Sequence, residues 1–374
     1  MNSVVISATG LFTPSQSISN DELVESFNQY IEQTNLENAD AISRGEMEAL
    51  TSSDSAFIEK ASGIKSRFVL AKDNILDPEI MAPELTARDD SEMSVMCEMG
   101  VAAAKQALEV AKLEASEIDL VIVAASNTER AYPAIAVELQ AALGCTGYAF
   151  DMNVACSSAT FGIKTAYDAL VSGTNKKVLM VNPEICSGHL NFRDRDCHFI
   201  FGDVCTAVIL ELEQDVSGRG LEDYYAIKHF KLITQFSNNI RNNFGFLNRS
   251  AENPQDLLFK QQGRKVFKEV VPMVANLISN MVDSASVGMT NVRTLWLHQA
   301  NLNMNMLIAK KLFGQAPQVE QAPTVLDTYA NTSSAGSIIA FHLHRNHMQK
   351  GEVGVLCSFG AGYSAGAILL EKKG

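Results

Sequence analysis

Three segments of this chain place a reactive or hydrogen-bonding side chain where an extended run gives way to a helix. The first is Asn153-Val154-Ala155-Cys156-Ser157-Ser158-Ala159-Thr160-Phe161-Gly162, which follows the strand-like Ala149-Phe150-Asp151 and leads into a helix of small residues. A cysteine at that point faces unpaired backbone N–H groups and the positive end of a helix dipole. That setting is expected to lower the thiol pKa and enlarge the thiolate fraction. Taken alone, the pattern also describes a buried structural cysteine. The second segment, His298-Gln299-Ala300-Asn301, ends a strand and opens a helix. Sites in layered α/β proteins collect at such strand ends, although a structural histidine is the plainer reading. The third is Asn331-Thr332-Ser333-Ser334-Ala335-Gly336-Ser337 before the apolar Ile338-Ile339-Ala340-Phe341, where Asn or Ser could simply cap the helix. Together, Cys156, His298 and Asn331 supply a nucleophile with polar partners. Asp203, in Phe201-Gly202-Asp203, reads as a structural turn residue. His342, His344 and His347 follow no ligand spacing, so no metal is expected.

The elements that must position these residues alternate. Ile118–Ala125, Lys177–Val181 and Ala207–Leu212 read as buried strands, with a helix from Cys156 to about Val171 between the first two. The second half repeats the pattern: a strand over Thr294–His298, a helix over 301–313, then strands over Gly354–Cys357 and Ala367–Glu371. This alternation predicts a layered α/β fold. Phe201-Gly202-Asp203 and Phe359-Gly360-Ala361 each precede an apolar strand, which suggests an internal duplication with two sheets sandwiched by helices. Residues 20–56 are polar and mostly acidic. Ser19-Asn20-Asp21-Glu22 has a capping-box pattern, and Leu23, Phe27 and Tyr30 could share a helix face. The segment reads as a helical insertion, either a lid or a decoration.

The bulk properties narrow the class. Of 374 residues, 47% are hydrophobic, enough for a large core. No apolar run is long enough to span a bilayer. Met1-Asn2-Ser3-Val4-Val5-Ile6 lacks the basic start of a signal peptide and reads as a first buried strand. The seven cysteines are scattered without a paired framework, which predicts free thiols and a cytoplasmic location. A net charge of −13 argues against nucleic-acid binding, while leaving room for a local basic patch.

At these residues the sequence resembles the β-ketoacyl-acyl-carrier-protein synthase III family of the thiolase superfamily, over nearly the whole chain. The likeness rests on Gly63-Ile64-Lys65-Ser66-Arg67, the Cys156 segment, Phe201-Gly202-Asp203 and Gly263-Arg264-Lys265-Val266-Phe267-Lys268, then on His298-Gln299-Ala300-Asn301, Asn331-Thr332-Ser333 and Phe359-Gly360-Ala361-Gly362. The resemblance implies a duplicated five-layer αβαβα thiolase-like fold and a homodimer. Its halves would be 1–220, carrying the cysteine and the insertion at about 20–56, and 221–374, carrying the histidine and asparagine. It implies a decarboxylative Claisen condensation without a cofactor, because CO2 loss supplies the carbanion. Cys156 would take an acyl group from an acyl-CoA or acyl-carrier-protein primer. His298 and Asn331 would stabilise the enolate of malonyl-acyl-carrier protein, and the N–H groups of Cys156 and Ala361 would form the oxyanion hole. Tyr132 would cross the dimer interface and shape the acyl pocket. Phe57, Arg195, Phe267 and Phe359 would contact substrate, and Lys268, Lys310 and Lys311 would meet the acidic carrier protein.

The chain departs from the family pattern at its entrance. Phe57 and Ala61, with Lys60 adjacent, stand where the family has an adenine-clamping Trp and Arg. Asn303 replaces an arginine, Ala361 and Val204 replace glycines, and the 20–56 stretch is long. A longer acyl-CoA, such as a medium-chain one, or an acyl-carrier protein is the expected primer, rather than acetyl-CoA. Acyl transfer or hydrolysis through acyl-Cys156 is the competing activity on the same scaffold. A non-catalytic partner subunit is the competing class.

Overall fold

The computed structural model describes residues 3–216, 218–242 and 257–374, together with Leu247 and Ser250. Thirteen strands are assigned among them. In chain order these are β1 (Val4–Phe12), β2 (Gln16–Ser19), β3 (Ser66–Val69), β4 (Leu120–Ala124), β5 (Tyr148–Met152), β6 (Lys177–Ile185) and β7 (Asp203–Leu212). There follow β8 (Tyr225–Ser237), β9 (Ile240–Asn242), β10 (Phe259–Gln261), β11 (Val292–Leu297), β12 (Val353–Gly360) and β13 (Gly362–Lys372). The first strand thus starts at Val4; Met1 and Asn2 lie outside the described residues.

One pairing scheme occurs twice. β4 runs parallel to β6, β6 antiparallel to β7, and β7 antiparallel to β1. In the second half β11 runs parallel to β12, β12 antiparallel to β13, and β13 antiparallel to β8. The two sets join where Val5 and Ile6 of β1 pair with Ala226 and Tyr225 of β8. Phe201-Gly202 and Phe359-Gly360-Ala361 lead into the corresponding strands β7 and β13, so the weak likeness of those motifs has a topological counterpart.

Strand alternation sorts the core into layers, because successive side chains point to opposite faces. Val121 and Val123 of β4 pack with Met99, Ala103 and Ala107 of the helix Val95–Ala111. Ile122 and Ala124 face the other way, onto Ala159, Ile163 and Ala166 of the helix Ser158–Val171. That same cluster takes in Ile338 and Phe341 of the helix Gly336–Leu343 and the inward-facing Trp296, Leu356 and Ile368 of the second strand set. Val355, Cys357 and Leu369 point outward onto the helices Gly263–Ser284 and Leu302–Phe313. In place of two separate sheets, nine strands form one continuous sheet in the order β11-β12-β13-β8-β1-β7-β6-β4-β5, because β1 and β8 pair; the helix, sheet, helix, sheet, helix order expected for an αβαβα protein is built from its two strand sets.

The insertion is a helix over Asn20–Glu37 with the predicted capping box intact: Ser19 Oγ accepts from Glu22 N–H, and Glu22 accepts from Ser19 N–H. Leu23, Phe27 and Ile31 pack against Phe192, Phe199 and Phe201, while Tyr30 lies under the Arg193 guanidinium. The helix therefore buttresses a wall from behind and does not cover an opening.

No helix among the described residues is long and apolar enough to cross a membrane.

Candidate active site

The turn bearing Cys156 is built from small hydrogen-bonding residues. Ser158 Oγ accepts from Val154 N–H at 2.8 Å and donates to Ala155 O at 2.7 Å, closing the loop at the start of the helix. Ser157 Oγ donates to Ser364 O at 2.9 Å, and Ser364 Oγ donates to Ala361 O at 2.8 Å. These bonds fix the cysteine turn against the β12–β13 turn. Gly360 lies so close that a Cβ there would come within 2.6 Å of Cys156 Cβ and 3.0 Å of Sγ. Glycine is required by that approach.

Cys156 is half-buried at the floor of a cavity of about 610 Å³. The main-chain N–H groups of Cys156 and Ala361 both interact with its sulfur, and Ser333 Oγ donates to Sγ at 3.4 Å. Burial nevertheless pushes the thiol up to about 11, and the nearby carboxylate of Glu184 acts in the same direction. The expected lowering of the thiol pKa is thus overturned for the empty site, because desolvation exceeds the help from Ser333 and the amides.

His298 follows β11, its N–H donating to Cys357 O at 2.7 Å and its carbonyl accepting from Asn305 at 3.0 Å. The ring stands edge-on to Phe359 with centroids 5.2 Å apart. Burial lowers the imidazole to about 4, against a smaller upward pull from the Ser333 main chain, so the ring is neutral near neutral pH. Nδ1 is buried without a hydrogen bond of good geometry. Asn331 is held by its own backbone: its N–H donates to Ile200 O and its carbonyl accepts from Gly202 N–H. Its Oδ1 accepts from Ser333 N–H at 2.9 Å, which turns the amide NH2 away from that bond. Ala155, Ala330 and Ser333 all have left-handed backbone, at φ 48, 55 and 49. Each such residue costs on the order of 1–3 kcal/mol, and this strain collects where three segments converge.

Cys156, His298 and Asn331, far apart in sequence, all line the same cavity, as do Phe57, Ala61, Arg195, Phe267 and Phe359. Sequence reasoning did not single out Phe199, Phe259 or Met304, which complete the apolar wall. Arg195 stacks 4.6 Å over the Phe57 ring and its Nε donates to Ser52 O at 2.8 Å. Tyr132 does not join its own chain's cavity and is 84% exposed. Lys268, Lys310 and Lys311 are exposed on the helices whose residues Phe267 and Met304 line the cavity. Val204 is buried against Val325, Ala335 and Ile339, filling the space beneath the Asn331 turn. Asp203 is wholly buried and accepts from Ser187 N–H, Ser187 Oγ and Leu70 N–H, so it anchors segments as a structural residue. Among the described residues there is no group of three or more His, Cys, Asp or Glu placed to hold a metal.

A neutral thiol and a neutral imidazole beside an amide, with two main-chain donors on the sulfur, can form and resolve a thioester. Comparison with known proteins points the same way. The family model described as 3-oxoacyl-[acyl-carrier-protein] synthase III matches residues 150–225, and that of its C-terminal part matches residues 282–372. The chain is 58% identical to the beta-ketodecanoyl-[acyl-carrier-protein] synthase of Pseudomonas aeruginosa over 352 residues, 93% of this chain and 100% of the relative. It is 33% identical to a beta-ketoacyl-[acyl-carrier-protein] synthase III of Chelativorans sp., over 73% of this chain and 83% of the relative. The solved 3-oxoacyl-[acyl-carrier-protein] synthase III of Aquifex aeolicus shares the fold at a TM-score of 0.76 and 23% identity, covering 98% of this chain and 99% of that one.

Proposed function

The chain belongs to the 3-oxoacyl-[acyl-carrier-protein] synthase III family, and on that premise we propose that it condenses an eight-carbon acyl thioester with malonyl-acyl-carrier protein. The Pseudomonas aeruginosa relative is named for a ten-carbon product, and a condensation that adds two carbons reaches it from an eight-carbon primer.

In the proposed sequence Cys156 Sγ attacks the primer carbonyl, its proton leaves with the departing thiol, and acyl-Cys156 remains. Malonyl-acyl-carrier protein then enters. Its carboxylate carbon bond breaks, CO2 leaves, and the enolate oxygen takes hydrogen bonds from the neutral imidazole of His298 and the amide of Asn331. The enolate carbon attacks the acyl carbonyl. The N–H groups of Cys156 and Ala361 hold the tetrahedral oxyanion, each donor contributing roughly 3–4 kcal/mol. The C–S bond breaks and the cysteine thiolate takes up a proton.

Phe57, Arg195, Phe267 and Phe359 would line the path of the thioester arm. The exposed Lys268, Lys310 and Lys311 would meet the acidic carrier protein. Tyr132 would be covered by a second copy in a homodimer. The repeated strand pairing supports a division into halves 1–220 and 221–374.

Intact-protein mass spectrometry after incubation with acetyl-CoA, octanoyl-CoA and octanoyl-carrier protein tests the proposal. The expected result is an octanoyl adduct on Cys156 that is discharged, with CO2 release, when malonyl-acyl-carrier protein is added. A clear kcat/KM preference for acetyl-CoA would sink the primer assignment. Discharge to free acid without CO2 would replace condensation by hydrolysis.

A further inference from the structure

Behind the cavity sits a carboxylate with no part in the chemistry above. Glu184, near the end of β6, is completely buried. Its Oε1 accepts from the main-chain N–H of Ser126 at 3.0 Å and of Ser334 at 3.2 Å, and from the Ser334 hydroxyl. Its Oε2 accepts from Ser126 Oγ at 2.5 Å and faces Cys186 Sγ at 3.7 Å. One oxygen therefore bridges two backbone amides from segments that are remote in sequence. Ser126 opens the loop that leads from β4 to Tyr132. Ser334 belongs to the turn in which Ser333 donates its hydroxyl to Cys156 Sγ and its N–H to Asn331 Oδ1. Ser334 Oγ also reaches Ala124 O at the end of β4. The turn contains left-handed Ser333 and is braced from within by the Ser333 N–H bond to Asn331 Oδ1; Glu184 grips it from outside one residue away.

The titratable neighbours are Cys156, Cys186 and Cys205, each of which feels the Glu184 charge, with Asp203 acting on Cys186 from β7. The groups acting most strongly on Glu184 itself are hydrogen-bond donors and burial, with no cation among them; burial raises it to about 7.

We propose that Glu184 is a positioning residue: Oε1, bridging the amides of Ser126 and Ser334, sets the turn that aims Asn331 into the cavity and the Ser333 hydroxyl at Cys156. The proposal rests on the reading of Cys156 and Asn331 as catalytic residues. One pair of variants can read it. In E184Q the carboxamide oxygen can keep both backbone amides. Its NH2 then takes the place of Oε2, where the Ser126 hydroxyl can rotate to accept. Shape is kept and charge is lost. In E184A both N–H groups are orphaned.

The measurements are octanoyl loading of Cys156 and β-ketoacyl product formation with malonyl-acyl-carrier protein. E184Q is expected to load and condense within severalfold of the native enzyme, since its carboxamide oxygen keeps both backbone amides. E184A is expected to load octanoate yet lose condensation by roughly tenfold or more, because a displaced Asn331 cannot serve the enolate. An E184A enzyme that condenses normally overturns the positioning, and so does an E184Q enzyme that loses condensation as fully as E184A. Should E184A fail to fold, Ser334→Ala, which removes the hydroxyl contacts to Glu184 and Ala124 O and keeps the main-chain bond, takes its place with the same split between loading and condensation expected in milder form. Native protein that loads no octanoate on Cys156 would instead defeat the underlying functional reading.

Discussion

At the scale of single residues, the contact between Gly360 and Cys156 makes the sharpest demand. Gly360→Ala would set a methyl group 2.6 Å from Cys156 Cβ, and the wall behind is β-sheet, so the cysteine must move. A displacement near 1 Å can cost about 10²-fold in rate. Acyl-enzyme formation followed by mass spectrometry is expected to slow by about that factor; an unchanged rate would show that the turn yields. The protonation of Cys156 gives a second prediction. Its thiol is raised to about 11 by burial, so the neutral form is favoured and the thiolate gains only as pH rises. Alkylation of the unloaded enzyme should climb from neutral pH toward that value, and a plateau near pH 7 would contradict it. Slow labelling at neutral pH is therefore no sign of a dead site. Cys156 and His298 were legible in the sequence because each sits in a short motif where a strand gives way to a helix; Asn331 was legible from its motif although a short helix, Leu326–Tyr329, and not the expected extended run precedes it. Glu184 was not, because its partners lie 58 and 150 residues away and a lone glutamate carries no pattern. The same holds for Arg67, buried with bonds to Ile18 O, Asn20 Oδ1 and Phe199 O inside a motif that gave it no role.

At the scale of elements, the insertion explains how the entrance is held. Asn28 and Asn35, seven apart on one face of the helix Asn20–Glu37, each make a reciprocal pair of bonds with the returning chain. Asn28 Nδ2 donates to Ser53 O at 3.0 Å and Oδ1 accepts from Ser53 N–H at 2.9 Å. Asn35 does the same with Leu50 at 3.0 and 2.8 Å. The strap so fixed delivers Ser52 O to Arg195 and Asp54 to the N-terminus of the helix Ser55–Ser62, which carries Phe57. At the other end Asn301 and Asn303 donate to the carbonyls of Ala61 and Lys60, and Gly63 closes the helix in left-handed backbone. Asn303 thus serves as a helix clasp. Replacing Asn28 and Asn35 together by Ala removes four hydrogen bonds, each contributing about 0.5–1.5 kcal/mol. The KM for the acyl primer is expected to rise severalfold with kcat nearly unchanged, and steady-state kinetics would show it. A fall in kcat alone would mean that the strap acts on the chemistry instead. The capping box and the buried Leu23 and Phe27 were readable from spacing. The asparagine rungs were not, since side-chain bonds to an irregular segment leave no period in the sequence.

At the scale of the whole molecule, the proposed halves repeat in topology but share one core. Ile122, Ala159 and Ile163 from the first and Trp296, Ile338, Phe341, Leu356 and Ile368 from the second belong to a single buried cluster. The duplication was visible as a weak motif echo; the sharing was not, because it depends on two helices, Ser158–Val171 and Gly336–Leu343, lying between the same sheets. Cutting the chain at residue 220 would strip that cluster of many large second-half side chains, among them the five just named, all at most 1% exposed. At about 2 kcal/mol for each side chain returned to water, the loss from those five is roughly 10 kcal/mol, comparable with a native stability of about 5–15 kcal/mol. The fragment 1–220 is therefore expected not to fold alone. The intact chain should unfold in one calorimetric transition with matching van't Hoff and calorimetric enthalpies. Two resolved transitions, or a fragment with dispersed methyl resonances and protected amides, would show that each half carries its own core and that the cavity between them is assembled from independent parts.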